Sequence, residues 1–454
     1  MSSPLPPTTM TAAATDRQIL RVALPAMGGF LGMILFDLAN IFWIGRLGPQ
    51  AMAGVAASGF VMWSLYSVMH VTNAGCGSLV AQRFGAGATA EAHEVIVTAA
   101  WMSLAIAGAT VAGFWPLLDI PFGWMGLDAP AAAEALAYFR PLFLFFPVVY
   151  LYNLTGNVFN AYGDTRTSTW IMAAALALNM LLDPLLMFGW GGLPRLEIAG
   201  AAVATVICQA LGLVARLFFL RRRGMIGPAA GFLAFPRRWV GPIVRIGLPN
   251  AITSCVWSVI YPFLTRIITP FGMAPLSALG VCHRIESFPY LGATGMGIAL
   301  TALIGQARGR GDLEAARVLC RRGLVLTTLL MVPFVAGFLA CPRELVALLT
   351  GDGPTIGHGG DYLWAIGVGE ILLGWELALG GAFTGLGRTA PTLAISIPLT
   401  VGRVPLAWLL ADRLGMGLPG VWWAISLSTM GKGLGLALLW RHTMRPRTPP
   451  GPQP

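Results

Sequence analysis

The sequence predicts an all-α integral membrane protein: twelve transmembrane helices in two pseudo-symmetric six-helix bundles with a central cleft. Composition, the run pattern and an internal repeat predict it. Residues are 56% hydrophobic and 11% charged, and the mean hydropathy is +0.73. Soluble domains carry about 25% charged residues. A chain of 454 residues with so few charges cannot cover a globule with water-facing surface, but it can cover one with lipid-facing surface. The 57 glycines suit close helix–helix approach in a bilayer, where small residues let backbones touch.

The apolar runs follow in order. A membrane-crossing helix needs about 20 apolar residues. In the first half such runs begin near Ile19, Met52, Ile96, Arg140, Thr167 and Ile198. In the second they begin near Val240, Leu276, Leu319, Tyr362, Thr389 and Gly420. Residues 1–16 are polar and Pro/Thr-rich, and read as a disordered cytoplasmic tail. The N-lobe is expected over 17–222, a basic cytoplasmic connection over 223–239, the C-lobe over 240–443 and a second tail over 444–454. The net charge is +10, and nearly all of its basic residues are Arg. Alternate connections carry Arg83, Arg166, Arg221, Arg222, Arg223, Arg237, Arg238, Arg308, Arg310, Arg321, Arg322 and Arg388, while the opposite ones carry few. Positive charge marks the cytoplasmic side. Both termini are therefore expected inside, in a multi-pass protein of the plasma or inner membrane.

The repeat supports the division into halves. Leu24-Pro25 recurs as Leu248-Pro249, Gln82 as Gln306 and Gly163 as Gly387, each pair 224 positions apart. The offset spans six runs, an even number, so the halves share one orientation. They are expected to be related by an axis along the membrane normal.

A carboxylate at mid-membrane costs about 2.5–3.5 kcal/mol on insertion scales, so each one needs a reason. Asp37 lies in the first run. Asn179 and Asp183 lie in the fifth, four apart and so on one helical face. Thr205 lies in the sixth. Two carboxylates, an amide and a hydroxyl can hold a hard cation through oxygen, or the carboxylates can share a proton. The competing reading is structural: Asp183 ends its helix before Pro184, and Asp37 pairs with a nearby donor. The acidic set is not duplicated. At the repeat positions stand Tyr261 for Asp37, Arg403 for Asn179 and Ala407 for Asp183. The second half instead has Glu286 in the eighth run, close to Arg284, and Glu370 and Glu376 in the tenth. Asn157, in the polar stripe Asn153/Asn157/Asn160 of the fourth run, joins Tyr261, Glu286, Glu370, Glu376 and Arg403 as candidates for contact with substrate in the cleft.

Catalysis finds no motif. There is no P-loop, no Gly-x-Ser-x-Gly and no His-Glu-x-x-His, and the six cysteines have no metal-ligand spacing. No enzyme activity and no cofactor beyond a coupling ion are expected.

Several segments together resemble the MATE family (multidrug and toxic compound extrusion). They are Leu24-Pro25, Asp37, Gly45-Arg46-Leu47-Gly48, Val80-Ala81-Gln82-Arg83-Phe84-Gly85, Tyr162-Gly163-Asp164, Asn179 to Pro184, Gly200-Ala201-Ala202, Arg284-Ile285-Glu286 and Gly305-Gln306. The resemblance covers roughly 17–443 and implies a secondary antiporter. Such a protein exports small, often cationic or amphiphilic compounds in exchange for H⁺ or Na⁺. It implies coupling residues at Asp37, Asn179, Asp183 and Thr205, with the Ala201 carbonyl, and a bend of the first helix at Pro25. The NorM branch carries a Glu eight residues after the second Leu-Pro motif; Trp257 stands there. The chain therefore looks DinF-like, with coupling in the N-lobe. A monomer working in the bilayer on a small molecule, without nucleic acid, is expected. The alternative is a flippase for a lipid-linked precursor of the same superfamily.

Overall fold

The computed structural model describes residues 11–125, 127–227 and 235–445. The described chain is built from α1 (Ala12–Gly45), α2 (Pro49–Gly85), α3 (Thr89–Phe114), α4 (Asp119–Trp124), α5 (Ala129–Leu144), α6 (Phe146–Ala161), α7 (Thr165–Phe188) and α8 (Ile198–Arg222). It continues as α9 (Val240–Ile268), α10 (Met273–Gly309), α11 (Leu313–Ala340), α12 (Pro342–Ala347), α13 (Gly353–Gly367), α14 (Glu370–Gly385), α15 (Ala390–Trp408) and α16 (Leu418–Thr443). Among the described residues nine helices are long and apolar enough to cross a membrane, and two bent pairs raise the number to eleven. The 26-residue α16 occupies the twelfth expected run.

The bent pairs are α5 with α6, at 59°, and α13 with α14, at 56°. The breaks fall at Phe145 and Gly369, again 224 apart. Their local causes differ. Pro147 follows the first break and has no N–H to continue the ladder, while Gly367 and Gly369 loosen the second. The fourth and tenth spans thus start well before Arg140 and Tyr362, where the apolar runs place them. Turn glycines repeat as well: Gly87 and Gly311, and Gly163 and Gly387, all adopt positive φ, which an L side chain resists. Asp164 and Asp312 then cap α7 and α11 by accepting from Thr167 N and Ala315 N.

Two corrections concern the ends of elements. The tail expected over 1–16 is helical from Ala12, and Asp16 pairs with Arg322; residues 1–10 lie outside the described residues, as do 228–234 of the connection and 446–454 of the second tail. Asp183 does not end its helix. α7 runs through Pro184 to Phe188.

The chain packs as two compact units. One is Leu20–Ser258; the other holds Val259 onward together with α1 up to Ile19. Relative to the expected lobes, Val240–Ser258 goes with the first unit. Its reason is local. Gly75 lies against the Ile243 backbone and Gly247 against the Val71 backbone, so α2 and the start of α9 touch without intervening side chains. Ser67 and Ser254 bond across the same contact at 3.0 Å. In the first unit α7 packs along α8, and α2 packs on α3, α5 and α6. In the second, α14 packs on α10, α11 and α16, while Tyr362, Trp422 and Ala407 belong to a core shared by α13, α15 and α16.

Candidate ion-coupling site

The N-lobe site is assembled where α7 and α8 nearly touch. A Cβ on Gly200 would sit 2.6 Å from the Leu186 carbonyl carbon, so only glycine allows this approach. One turn later Thr205 reaches across. Its hydroxyl contacts Asn179 Oδ1 at 3.2 Å and the Ala201 carbonyl oxygen at 3.0 Å. Asn179 Nδ2 donates to Asp183 Oδ1 at 2.9 Å. Four of the five sequence candidates, Asn179, Asp183, Thr205 and the Ala201 carbonyl, therefore form one hydrogen-bonded string. Asn179 is 3% and Asp183 1% exposed. Among the described residues no basic side chain pairs with Asp183.

Asp37 lies on α1 with an exposed side chain, outside that string. Its link to the string is Tyr138 of α5. The Tyr138 hydroxyl lies near the Asn40 side chain and within electrostatic range of both Asp37 and Asp183. Tyr66 of α2 also lies within range of Asp37. Neither tyrosine was a candidate on sequence grounds. The repeat held the signal, since Tyr66 and Tyr138 recur as Tyr290 and Tyr362.

Pro25 is held from α7. Lacking an N–H, it leaves the Arg21 carbonyl without its helical partner. Two α7 hydroxyls grip the same stretch: Thr165 donates to Val22 O at 2.7 Å and Thr169 to Pro25 O at 2.9 Å. The helix that carries Asp37 and the helix that carries Asp183 are thus tied at the proline.

Asn157 of α6 donates to the Asn73 backbone, in a helix–helix contact within the first unit. The remaining candidates gather in the second unit. Glu286 accepts from Tyr362 Oη at 2.7 Å, so its partner comes from α13, and neighbouring Arg284 is exposed. Glu376 accepts from Lys432 Nζ at 2.8 Å. Lys432, fully buried and the chain's single lysine, was not a candidate, although a lone lysine in an apolar run was a readable signal. Glu370 is fully buried, and neither carboxylate oxygen has a hydrogen-bond partner among the described residues. Arg403, also fully buried, donates to Ser428 Oγ at 2.7 Å and Thr429 Oγ1 at 2.9 Å, and lies within hydrogen-bonding reach of the Tyr261 hydroxyl.

The MatE family model matches residues 25–185 and again 249–409, two stretches at the repeat offset. The chain belongs to the MATE family. Among curated relatives, this MATE chain is 26% identical to a probable multidrug resistance protein NorM of Thermotoga maritima, over 89% of this chain and 88% of the relative. It is 25% identical to a FAD transporter of Shewanella oneidensis, over 94% and 92%. A solved structure described as the outward-facing conformation of a multidrug resistance MATE family transporter matches with a TM-score of 0.89 at 23% identity, covering 96% of this chain and 97% of that one. That likeness shows the fold.

Proposed function

We propose that this MATE chain is a secondary antiporter of the multidrug-efflux type, coupled to H⁺ or Na⁺ at an N-lobe site of Asp37, Asn179, Asp183, Thr205 and the Ala201 carbonyl. The observation that carries the reading is Asp183. It is a buried carboxylate with an amide as hydrogen-bond partner and no basic counter-charge among the described residues. A buried bare charge is costly, so the group takes either a proton or a cation from outside the protein. The surrounding oxygens of Asn179, Thr205 and Ala201 suit a hard cation, and Tyr138 relays the state of the site toward Asp37.

Coupling then runs through α1. Loading of the site changes the electrostatic balance around Asp37, and Pro25 supplies the bend by which α1 changes shape. Ion and substrate must each alter the other's affinity by the same factor. The placement of the acids supports the DinF-like branch, and curated relatives named for multidrug resistance support small organic compounds as cargo. Those names do not favour the lipid-precursor flippase. The relative named as a FAD transporter shows that cargo charge varies among relatives, so cationic or amphiphilic cargo is the narrower reading. The arginine bias of alternate connections supports both termini in the cytoplasm of a plasma or inner membrane, and a self-contained pair of repeats supports a monomer.

The test is efflux from proteoliposomes under an imposed pH or Na⁺ gradient. Asp183→Asn and Asp37→Asn are expected to abolish gradient-driven exchange at unchanged membrane abundance. Full efflux by both variants would sink the reading.

A further inference from the structure

The repeat offset pairs each residue of the N-lobe site with one in the C-lobe. In the N-lobe, Asn179 bonds Thr205, and Tyr138 lies near Asp37 and Asp183. In the C-lobe the same positions are Arg403, Thr429, Tyr362, Tyr261 and Ala407. The first pair is still hydrogen-bonded, with its direction reversed: Arg403 Nη2 donates to Thr429 Oγ1 at 2.9 Å, whereas Thr205 Oγ1 donates to Asn179 Oδ1. What changes is charge. Both N-lobe carboxylates are gone, and the amide has become a longer side chain ending in a guanidinium.

We propose that Arg403 is a tethered cation, whose guanidinium occupies in the C-lobe pocket the seat that the exchangeable ion takes in the N-lobe. The inference rests on the N-lobe reading above and adds that the second pocket is permanently loaded. Three observations support the placement. Arg403 is fully buried, and a guanidinium does not shed its proton in a protein. It donates to the hydroxyls of Ser428 and Thr429, the ligand type that Thr205 supplies to the proposed ion site. Glu286, held by Tyr362, lies within electrostatic range of Arg403. With a guanidinium already seated on Thr429, the position that corresponds to the N-lobe seat is filled. Exchange at this seat is thereby blocked, and Arg403 acts as a positioning residue that ties α15 to α16 in the loaded arrangement.

Chemical rescue tests this on the full-length protein in proteoliposomes. Arg403→Ala empties the seat and leaves the Ser428 and Thr429 hydroxyls without their donor. Efflux is expected to fall about tenfold or more, as when buried polar groups lose their hydrogen-bond partner. Millimolar guanidinium chloride is expected to restore efflux and raise the melting temperature of the variant, with the wild-type pH profile, while equal NaCl does neither. Wild-type efflux by Arg403→Ala, or no guanidinium response in either readout, overturns the proposal. Should the alanine variant not fold, Arg403→Lys and Arg403→Gln decide. The lysine variant keeps the charge and is expected to retain efflux, and the glutamine variant to lose it; equal activity overturns the proposal. Asp183→Asn run alongside keeps the two readings apart: intact efflux there counts against the N-lobe site, whatever guanidinium does at Arg403.

Discussion

Thr205 shows how much a single hydroxyl organises. It touches the Asn179 side chain and the Ala201 carbonyl together, so it sets the amide orientation that in turn donates to Asp183. Thr205→Val keeps the shape and removes the hydroxyl. A net hydrogen bond is worth about 1 kcal/mol, so a loss of about fivefold in apparent ion affinity is expected, read from the dependence of efflux rate on the imposed ion. A wild-type ion dependence would remove Thr205 from the site. At this scale the acids were readable, because a carboxylate or amide in an apolar run stands out. Tyr138 was not. An aromatic in an apolar run has an ordinary lipid-facing or core role, and nothing local marks the one whose hydroxyl lies within electrostatic range of two carboxylates. Lys432 and Glu376 were half readable: each charge was visible, but their pairing needs α14 and α16 packed side by side.

At the scale of elements, close approach and ties decide geometry. Gly200→Ala forces α7 and α8 apart at Leu186, where overpacking costs about 1–3 kcal/mol. The expected result is a lower melting temperature together with impaired coupling, because Thr205 is moved away from Asn179. Thr169→Val releases the Pro25 carbonyl from α7 and is expected to alter the rate of exchange more than ion affinity, measured in the same vesicles. A third element is tied by a titratable group at the membrane edge, just before the apolar run that begins near Ile96. Glu94 accepts from Trp239 Nε1 at 2.8 Å and from Arg238 Nε at 2.8 Å. Glu94→Gln removes the charge from both bonds and is expected to be cut by protease after Arg237 and Arg238 faster than the wild type, read from the cleavage time course of the purified protein. The bends at Phe145 and Gly369 belong to this scale too. They match in position although one follows a proline and the other glycines, so composition alone did not announce them as one feature.

For the whole molecule, orientation is the quantity most open to a direct test. A fluorescent-protein fusion at the C-terminus is expected to fluoresce and a periplasmic phosphatase fusion there to stay inactive; the reverse pattern would invert the topology. The sequence by itself determined the membrane class, the two tandem units and the acids of the first half, because hydropathy, arginine placement and a 224-residue offset are one-dimensional properties. Only the tertiary structure decided which acids have company. Burial and partnership depend on which helix faces meet. Those faces joined Asn179, Asp183 and Thr205 into a string and gave Glu376 a lysine. They also seated Arg403 on the hydroxyls of Ser428 and Thr429, the second at the repeat position of Thr205, and left Glu370 buried without a hydrogen bond among the described residues.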